Sequence, residues 1–411
     1  MGADEMEQAQ VDQGWDYGYG FVCAGCVDDE ALARKIVEDA DEDETCDYCA
    51  RAPAAPLDTL LQAFFDGLHT EFSLAGDELA YFEGELVPVK HWDGDDLVNE
   101  YADVLRGEDL QETVRKAARY DDVWVERHFI EPRHDEALLD GWRRFSHEVM
   151  YRTRHVFWLA PSHQDEAHLG GGEIPAAAIL NTLGDLIPQA DLIHEIPAGH
   201  HLWRARTHDA EQDWSARDLG TASPAQARHP NRMSPAGIPL FYGADNPTTA
   251  IQEVARHASG TTKLVTYAAF ETTRSCWVTD FTRLGPIPTI FDTDRAPLRR
   301  ALMFLHEFVR RLSADANGHE HLTYVPTQIV TEYLLRVFGR ERPIDGLVYA
   351  SATSRDGRCT VLDIPQAHCL DPDGPEPDAH VALRLVPGTL HANQRLPHDL
   401  PLAEESVPHN Q

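Results

Sequence analysis

Four of the seven cysteines stand in two pairs, Cys23-Ala-Gly-Cys26 and Cys46-Asp-Tyr-Cys49, with 19 residues between the pairs. Two residues between thiolates let both sulfurs of one knuckle reach a single tetrahedral ion, and the intervening length lets a second knuckle fold back. Structural zinc on Cys23, Cys26, Cys46 and Cys49 is the expected occupant, with an iron–sulfur cluster or a pair of disulfides as alternatives. Four thiolates close the coordination sphere, so this metal is not expected to catalyse. Asp28, Asp29, Glu30, Asp39, Asp41, Glu42, Asp43 and Glu44 surround the pairs, which speaks against a nucleic-acid finger. Cys276, Cys359 and Cys369 are isolated and read as small buried hydrophobes.

A second set of chemistry-bearing residues lies in the C-terminal half. Leu202-Trp-Arg-Ala-Arg206 is followed by Asn231-Arg-Met-Ser-Pro-Ala-Gly-Ile-Pro-Leu-Phe-Tyr-Gly-Ala-Asp-Asn-Pro247, then Thr248-Thr-Ala-Ile-Gln-Glu-Val254, and much later Asp345-Gly-Leu-Val-Tyr-Ala-Ser-Ala352. An Arg, then Pro-x-Gly, then Tyr-x-Ala, then a helix carrying Glu resembles the RES family, named for its Arg, Glu and Ser. Carried over residue by residue, the family's functional positions fall on Arg204, Arg232, Tyr242, Glu253 and Ser351. The resemblance implies an ADP-ribosyltransferase-like fold and NAD⁺ as substrate, cleaved at the nicotinamide–ribose bond by phosphorolysis or hydrolysis. Many such proteins are toxins paired with a helix-turn-helix antitoxin. A helical region ahead of the domain, opened by paired CxxC motifs, resembles the HEPN-like N-terminal domain of some RES proteins.

Physical chemistry supplies a role for each position so implied. Arg204 and Arg232 offer planar forks for the diphosphate of NAD⁺, and Arg206 competes with Arg204 because the two share one strand face. Tyr242 can lie against the nicotinamide ring. Glu253 can stabilise the positive charge of an oxocarbenium-like ribose. Ser351 can hold the carboxamide or a ribose oxygen. Arg232, Tyr242, Glu253 and Ser351 are thus the expected catalytic residues, and Arg204, Arg232, Tyr242 and Ser351 the expected substrate-holding ones. Water or phosphate would accept the ribosyl group. The competing readings are an ADP-ribosyltransferase acting on a protein or nucleotide, and an inactive zinc-containing binding module.

The elements that must position these residues follow from periodicity. Leu60, Leu61, Phe64, Phe65 and Leu68 mark an amphipathic helix, and 97–118, 137–157 and 176–186 repeat the pattern, so a helical bundle is expected there. The stretch Phe82–Trp92 reads as a short strand or loop. Beyond 195, short apolar or β-branched runs at 201–205, 238–243, 263–270, 276–280, 346–350 and 360–364 are interrupted by helical patterns at 247–257, 295–312 and 326–338, without the regular βαβ alternation of a doubly wound sheet. Asp245 or Asn246 caps the first of these helices, with Pro247 at its first position, and Glu253 is expected in its early turns. The expected class is α+β: a four-cysteine zinc-binding segment at 1–55, a helical HEPN-like domain at 56–195, a mixed-sheet RES domain at 196–386 and a tail at 387–411. Arg127-x6-His134 fits the loose Arg–His pattern of HEPN ribonucleases, but Pro132 interrupts a helix there. The glycines at 170–172 lack the Lys and Ser/Thr of a phosphate loop and read as a linker.

Composition bounds the partners. Lys plus Arg number 35 against 69 Asp plus Glu, a formal net charge of −34. A field of that sign repels phosphate backbones, so nucleic acid is not an expected partner. The acidic N-terminus has no apolar core segment and does not read as a secretory signal. No run of about 18 apolar residues occurs, so no membrane partner is expected and the expected location is cytoplasmic. NAD⁺, phosphate, an antitoxin and a second copy of the chain in a homodimer are the expected partners.

Overall fold

A computed structural model describes residues 13–78, 81–82, 85–86, 89–119, 121–159, 172–256, 258, 262–313, 320–339, 343–375 and 381–397. The first twelve residues, most of the glycine linker and the end of the tail lie outside the described residues. The chain forms two compact units: 1–137 with 170–173 and 286–303, and 138–169 with 174–285 and 304–411. This differs from the expected division. The cysteine segment is not a separate module, because Cys23, Cys26 and Cys46 share one core with Leu60, Phe64 and Val114. Residues 286–303 join the same core through Ile290 and Phe291. Among the described residues, no helix is long and apolar enough to cross a membrane.

The first unit is built around α2 (Leu57–Glu71), which follows α1 (Glu30–Glu38). Leu57, Leu60, Leu61, Phe64, Phe65 and Leu68 of α2 are all buried, as the 3.6-residue period requires. Trp15 stacks on Phe65 with ring centroids 5.6 Å apart, and Phe291 stacks on Phe64 at 4.9 Å. Gly67 admits this approach: a Cβ there would lie 2.5 Å from the Phe291 ring. The helical pattern at 97–118 resolves into α3 (Gly94–Tyr101) and α4 (Glu108–Ala117), because Gly107 breaks it at φ +91°. In place of helices alone, a three-stranded antiparallel sheet also stands here, made of β1 (Phe72–Leu74), β2 (His91–Asp93) and β3 (Val123–Glu126) in the order β1-β3-β2. Such strands are too short for alternation to reveal them; Trp124 and Val125 are both buried despite being adjacent.

The second unit holds a ten-stranded mixed sheet. Its elements are α5 (His134–Tyr151), most of which belongs to this unit, α6 (Ile179–Gln189), β4 (Ile193–Ile196), β5 (His201–His208), β6 (Phe241–Ala244), α7 (Pro247–Ala255), β7 (Leu264–Thr272), β8 (Cys276–Asp280), the later turns of α8 (Ala296–Ser313), α9 (Val325–Tyr333), β9 (Gly346–Ala350), β10 (Arg358–Leu362), β11 (Cys369–Leu370), β12 (Leu383–Leu385) and β13 (His391–Arg395). The strand order is β11-β12-β7-β5-β6-β10-β9-β8-β4, with β13 also on β7. The β8–β9 and β11–β12 pairs are parallel and the others antiparallel. The expected tail thus enters the sheet at 391–395, where its backbone pairs with Leu264–Tyr267.

One seam divides this sheet. Strands β5 and β6 meet at a single register pair, Trp203 with Ala244, whereas β5 pairs with β7 along its whole length. The two faces have different cores. Leu202, Phe241, Phe270, Val348 and Leu362 pack on one side, and Trp203, Ala205, Ala244 and Val265 pack with α7 on the other.

Candidate functional site

The site assembles on the α7 side of the seam. Asn246 caps α7 by accepting a hydrogen bond from Thr249 N at 2.8 Å, with Pro247 in the first turn. The helix ends at Ala255, so Glu253 sits near its C-terminus and not in its early turns. There the helix dipole disfavours a carboxylate. Its compensation comes from the loop after β9. Glu253 Oε1 accepts from Ser351 Oγ at 2.5 Å and from Thr353 Oγ1 at 3.0 Å. The Ser351 oxygen in turn accepts from the backbone N–H groups of Thr353 and Ser354, both at 3.1 Å. Ser351 is therefore locked by its own turn, and it acts on Glu253. Cys359 of β10, the register partner of Tyr349 on β9, has its thiol pushed well up, first by burial and then by the Glu253 charge, so it stays protonated beside the carboxylate.

Tyr242 and Arg232 come to the same side. Tyr242 pairs with Val361 and Ala244 with Cys359, so Tyr242 shares a face with Cys359, Val361 and Tyr349. Burial pushes the Tyr242 hydroxyl up to about 12, so it remains a neutral donor and acceptor at any ordinary pH. It meets Ser234 Oγ at 2.9 Å and accepts from Met233 N at 3.3 Å. That anchors the turn that carries Arg232. Helix α9 grips the same turn: Thr327 Oγ1 donates to the Arg232 carbonyl at 2.6 Å, and Gln328 Nε2 to the Asn231 carbonyl at 2.8 Å. The Arg232 guanidinium lies 5.5 Å from the Tyr324 ring and donates to the Leu312 carbonyl in the last turn of α8, a favourable end for a cation.

Arg204 is placed differently. Trp203 is paired with Ala244, so the next residue, Arg204, points to the opposite face, with Leu202 and Phe241. Its guanidinium lies 5.5 Å from the Phe241 ring and donates to the carbonyls of Leu219 (3.2 Å) and Tyr242 (2.7 Å). Burial, and then the neighbouring Arg206, push it down to about 9, which leaves it charged at neutral pH. Arg206 donates to Leu219 and Gly220. Arg204 crosses the seam, holding β6 to β5 where backbone pairing is thin. Replacing it by Met removes two charge-assisted hydrogen bonds; the expected cost is roughly 3–6 kcal/mol, read as a lowered urea midpoint with an unchanged m value.

The structure thus gathers Arg232, Tyr242, Glu253 and Ser351 and holds Arg204 behind them. Three residues complete the group without having been singled out in the sequence. Thr353 is buried and shares Ser351's bond to Glu253. Tyr349 is buried at the centre, and its hydroxyl, raised first by burial, feels the charges of both Glu253 and Arg232. Thr327 fixes the arginine turn. The hydroxyl-rich Ser351-Ala-Thr-Ser354 was the one available signal for Thr353.

The four paired cysteines form the other site. Each CxxC closes a tight turn: Cys26 N donates to Cys23 O at 2.9 Å, and Ala50 N to Cys46 O at 2.8 Å. The four sulfurs lie within 4.8 Å of one another, with Cys23 and Cys26 3.8 Å apart, Cys26 and Cys46 3.7 Å, and Cys23 and Cys49 3.4 Å. This cluster could hold a metal ion. The other three cysteines are buried and form no disulfide.

A mixed α+β chain with a carboxylate held by hydroxyls beside a sheet seam, and a separate four-thiol cluster, defines the class. The RES domain family matches residues 201–385, and HEPN/RES N-terminal domain 1 matches residues 39–163. The chain is a RES-domain protein with a HEPN/RES-type N-terminal domain. A RES domain fits an NAD⁺-utilising function in general. No curated protein and no solved structure matches the chain.

Proposed function

We propose that the second unit is an NAD⁺-cleaving enzyme of ADP-ribosyltransferase-like fold that breaks the nicotinamide–ribose bond and passes the ribosyl carbon to phosphate or water. The observation that carries this reading is Glu253, whose one oxygen is occupied by the Ser351 and Thr353 hydroxyls. A carboxylate so oriented presents its other oxygen to a cationic ribose, where fixed charge stabilises the transition state without reorganisation. Tyr242, half-buried where Tyr349 is buried, supplies an aromatic face for the nicotinamide ring, and Arg232 a fork for a phosphate. Arg204 serves from the opposite face by fixing the Tyr242 carbonyl. Ser351 and Thr353 are positioning residues in this scheme.

The test is incubation of the purified chain with NAD⁺, with and without phosphate. Nicotinamide release that requires phosphate identifies phosphorolysis, and release without it identifies hydrolysis. Absence of release under both conditions removes the reading, and label transfer to protein or nucleotide replaces it with ADP-ribosyl transfer. Thr353→Val is expected to lower turnover about tenfold, the equivalent of one charge-assisted hydrogen bond of about 1.4 kcal/mol, with KM for NAD⁺ unchanged. A change in KM alongside kcat would mean Thr353 contacts substrate. The biological reading that accompanies the chemistry is a cytoplasmic toxin of a toxin–antitoxin or defence system, held by a helix-turn-helix partner; growth arrest on expression tests it.

The cysteine cluster is proposed to hold structural zinc. Sulfurs about 2.3 Å from a tetrahedral ion are about 3.8 Å from each other, which is the spacing of Cys23–Cys26 and Cys26–Cys46.

A further inference from the structure

The first unit contains a cavity of about 470 Å³ lined by the end of α2, β1, the end of β3 and residues 127–134, and the first turns of α8. Its size falls in the range of small-molecule sites, roughly 300–1,000 Å³. Four arginines converge on it from two distant stretches, Arg127 and Arg133 with Arg299 and Arg300, in a chain whose net charge is −34. The floor is already balanced. Glu71 accepts from Arg299 Nε at 3.1 Å and from Arg300, and Arg300 also reaches Asp135 at 3.1 Å. Burial lowers both floor guanidiniums, so charges here act in a poorly solvated setting.

The rim is balanced only in part, since Arg133 pairs with Glu136 while Arg127 bonds a backbone carbonyl. Arg127 donates one nitrogen to the His69 carbonyl at 2.7 Å, and Arg133 donates one to Glu136 at 2.7 Å. Each guanidinium carries five N–H donors, so most of each fork remains. Both residues are exposed, beside His128 and His134. His128 sits at φ +53°, a costly backbone conformation for a side-chain-bearing residue. Phe72, Tyr101, Ile290 and Met303 add an apolar and aromatic part to the lining, and Glu126 and Glu131 complete it.

We propose that this cavity binds a phosphorylated sugar bearing a flat ring. Arg127 and Arg133 take the phosphate as bidentate forks. The two rim glutamates accept hydrogen bonds from sugar hydroxyls, and the ring lies on the Tyr101 side. This site uses none of the residues assigned to NAD⁺ cleavage. The broken helical pattern at Pro132 belongs to it: α5 begins at His134, which leaves 127–133 as the loop that brings both rim arginines to the cavity.

Calorimetric titration of the full chain with AMP, ribose 5-phosphate, adenosine and inorganic phosphate tests it. The expected order is AMP tightest, the two partial ligands at least tenfold weaker than AMP, and phosphate weakest. Arg127→Ala with Arg133→Ala is expected to weaken AMP at least tenfold without moving Tm. Arg127→Lys, which keeps the charge and loses the fork, is expected to weaken it about threefold, and Arg232→Ala is expected to leave it unchanged. Absence of AMP binding, equal binding of adenosine and AMP, or loss of binding in Arg232→Ala alone would each overturn the proposal. The NAD⁺ assay reports on the other unit's site, so the two readings fail separately.

Discussion

Glu253→Gln is expected to slow nicotinamide release from NAD⁺ by about 10²–10³-fold, the typical cost of removing one preorganised electrostatic stabiliser. Glutamine matches glutamate in shape, and its amide oxygen can still accept from Ser351 and Thr353, which hold that position at 2.5 and 3.0 Å. The substitution therefore removes charge and leaves the scaffold. The loss should fall on kcat, because the positive ribose exists only near the transition state. Binding of NAD⁺ and thermal stability should hold. Stability is the informative control: a carboxylate near the C-terminus of α7 opposes the helix dipole, so the neutral side chain is expected to leave Tm unchanged or raise it slightly. An unchanged rate would remove Glu253 from the chemistry, and a fall in Tm with a parallel fall in rate would mark it as structural.

The second large effect is expected at the cysteine cluster. Cys26→Ser should abolish stoichiometric zinc and unfold the first unit. Cys26 is buried in the same core as Val22, Leu32, Ile36 and Leu60, so an ion bound there would close a core and not a surface loop. Structural zinc contributes an apparent 10–16 kcal/mol or so at neutral pH, which equals or exceeds the whole stability of an ordinary domain, about 5–15 kcal/mol. Zinc per chain should fall from one toward zero, and backbone amides of α1 and α2 should lose their protection from hydrogen exchange. Retained protection after metal loss would show that the cluster does not support the fold. Acidification should act in the same direction, because metal-binding cysteines must be thiolates and protonation competes with the ion.

Much of this was legible because the signals are local. The amphipathic positions 60, 61, 64, 65 and 68 are the buried stripe of α2. The strands at 276–280 and 346–350 fall where the apolar runs place them, and Pro247 opens α7. The small sheet of the first unit was not legible, since strands of three or four residues carry too few alternations. The membership of 286–303 in the first unit was not legible either, because only packing reveals that Phe291 lies on Phe64 across more than two hundred residues of chain. Within the candidate site, the identities of Arg232, Tyr242, Glu253 and Ser351 came from motif order. Tyr349 and Thr327 did not, because a tyrosine in a strand or a threonine in a helix has no signature until its partner is in place, and Thr353 left only the hydroxyl-rich run of its loop as a trace.

By itself, then, the sequence determined the chemistry available: four thiols at knuckle spacing, a carboxylate on a capped helix, two arginines, a tyrosine and a serine in a characteristic order. Spacing within a turn or a helix is enforced by backbone geometry, and it survives whatever the rest of the chain does. Tertiary structure alone decided how those groups are placed. Strand register settled that Arg204 faces away from Tyr242, since a one-residue shift exchanges the two faces of a sheet. The ends of α7 and β9 settled that Ser351 serves Glu253, because a hydrogen bond between residues 98 apart depends on where two elements finish and no local pattern records that.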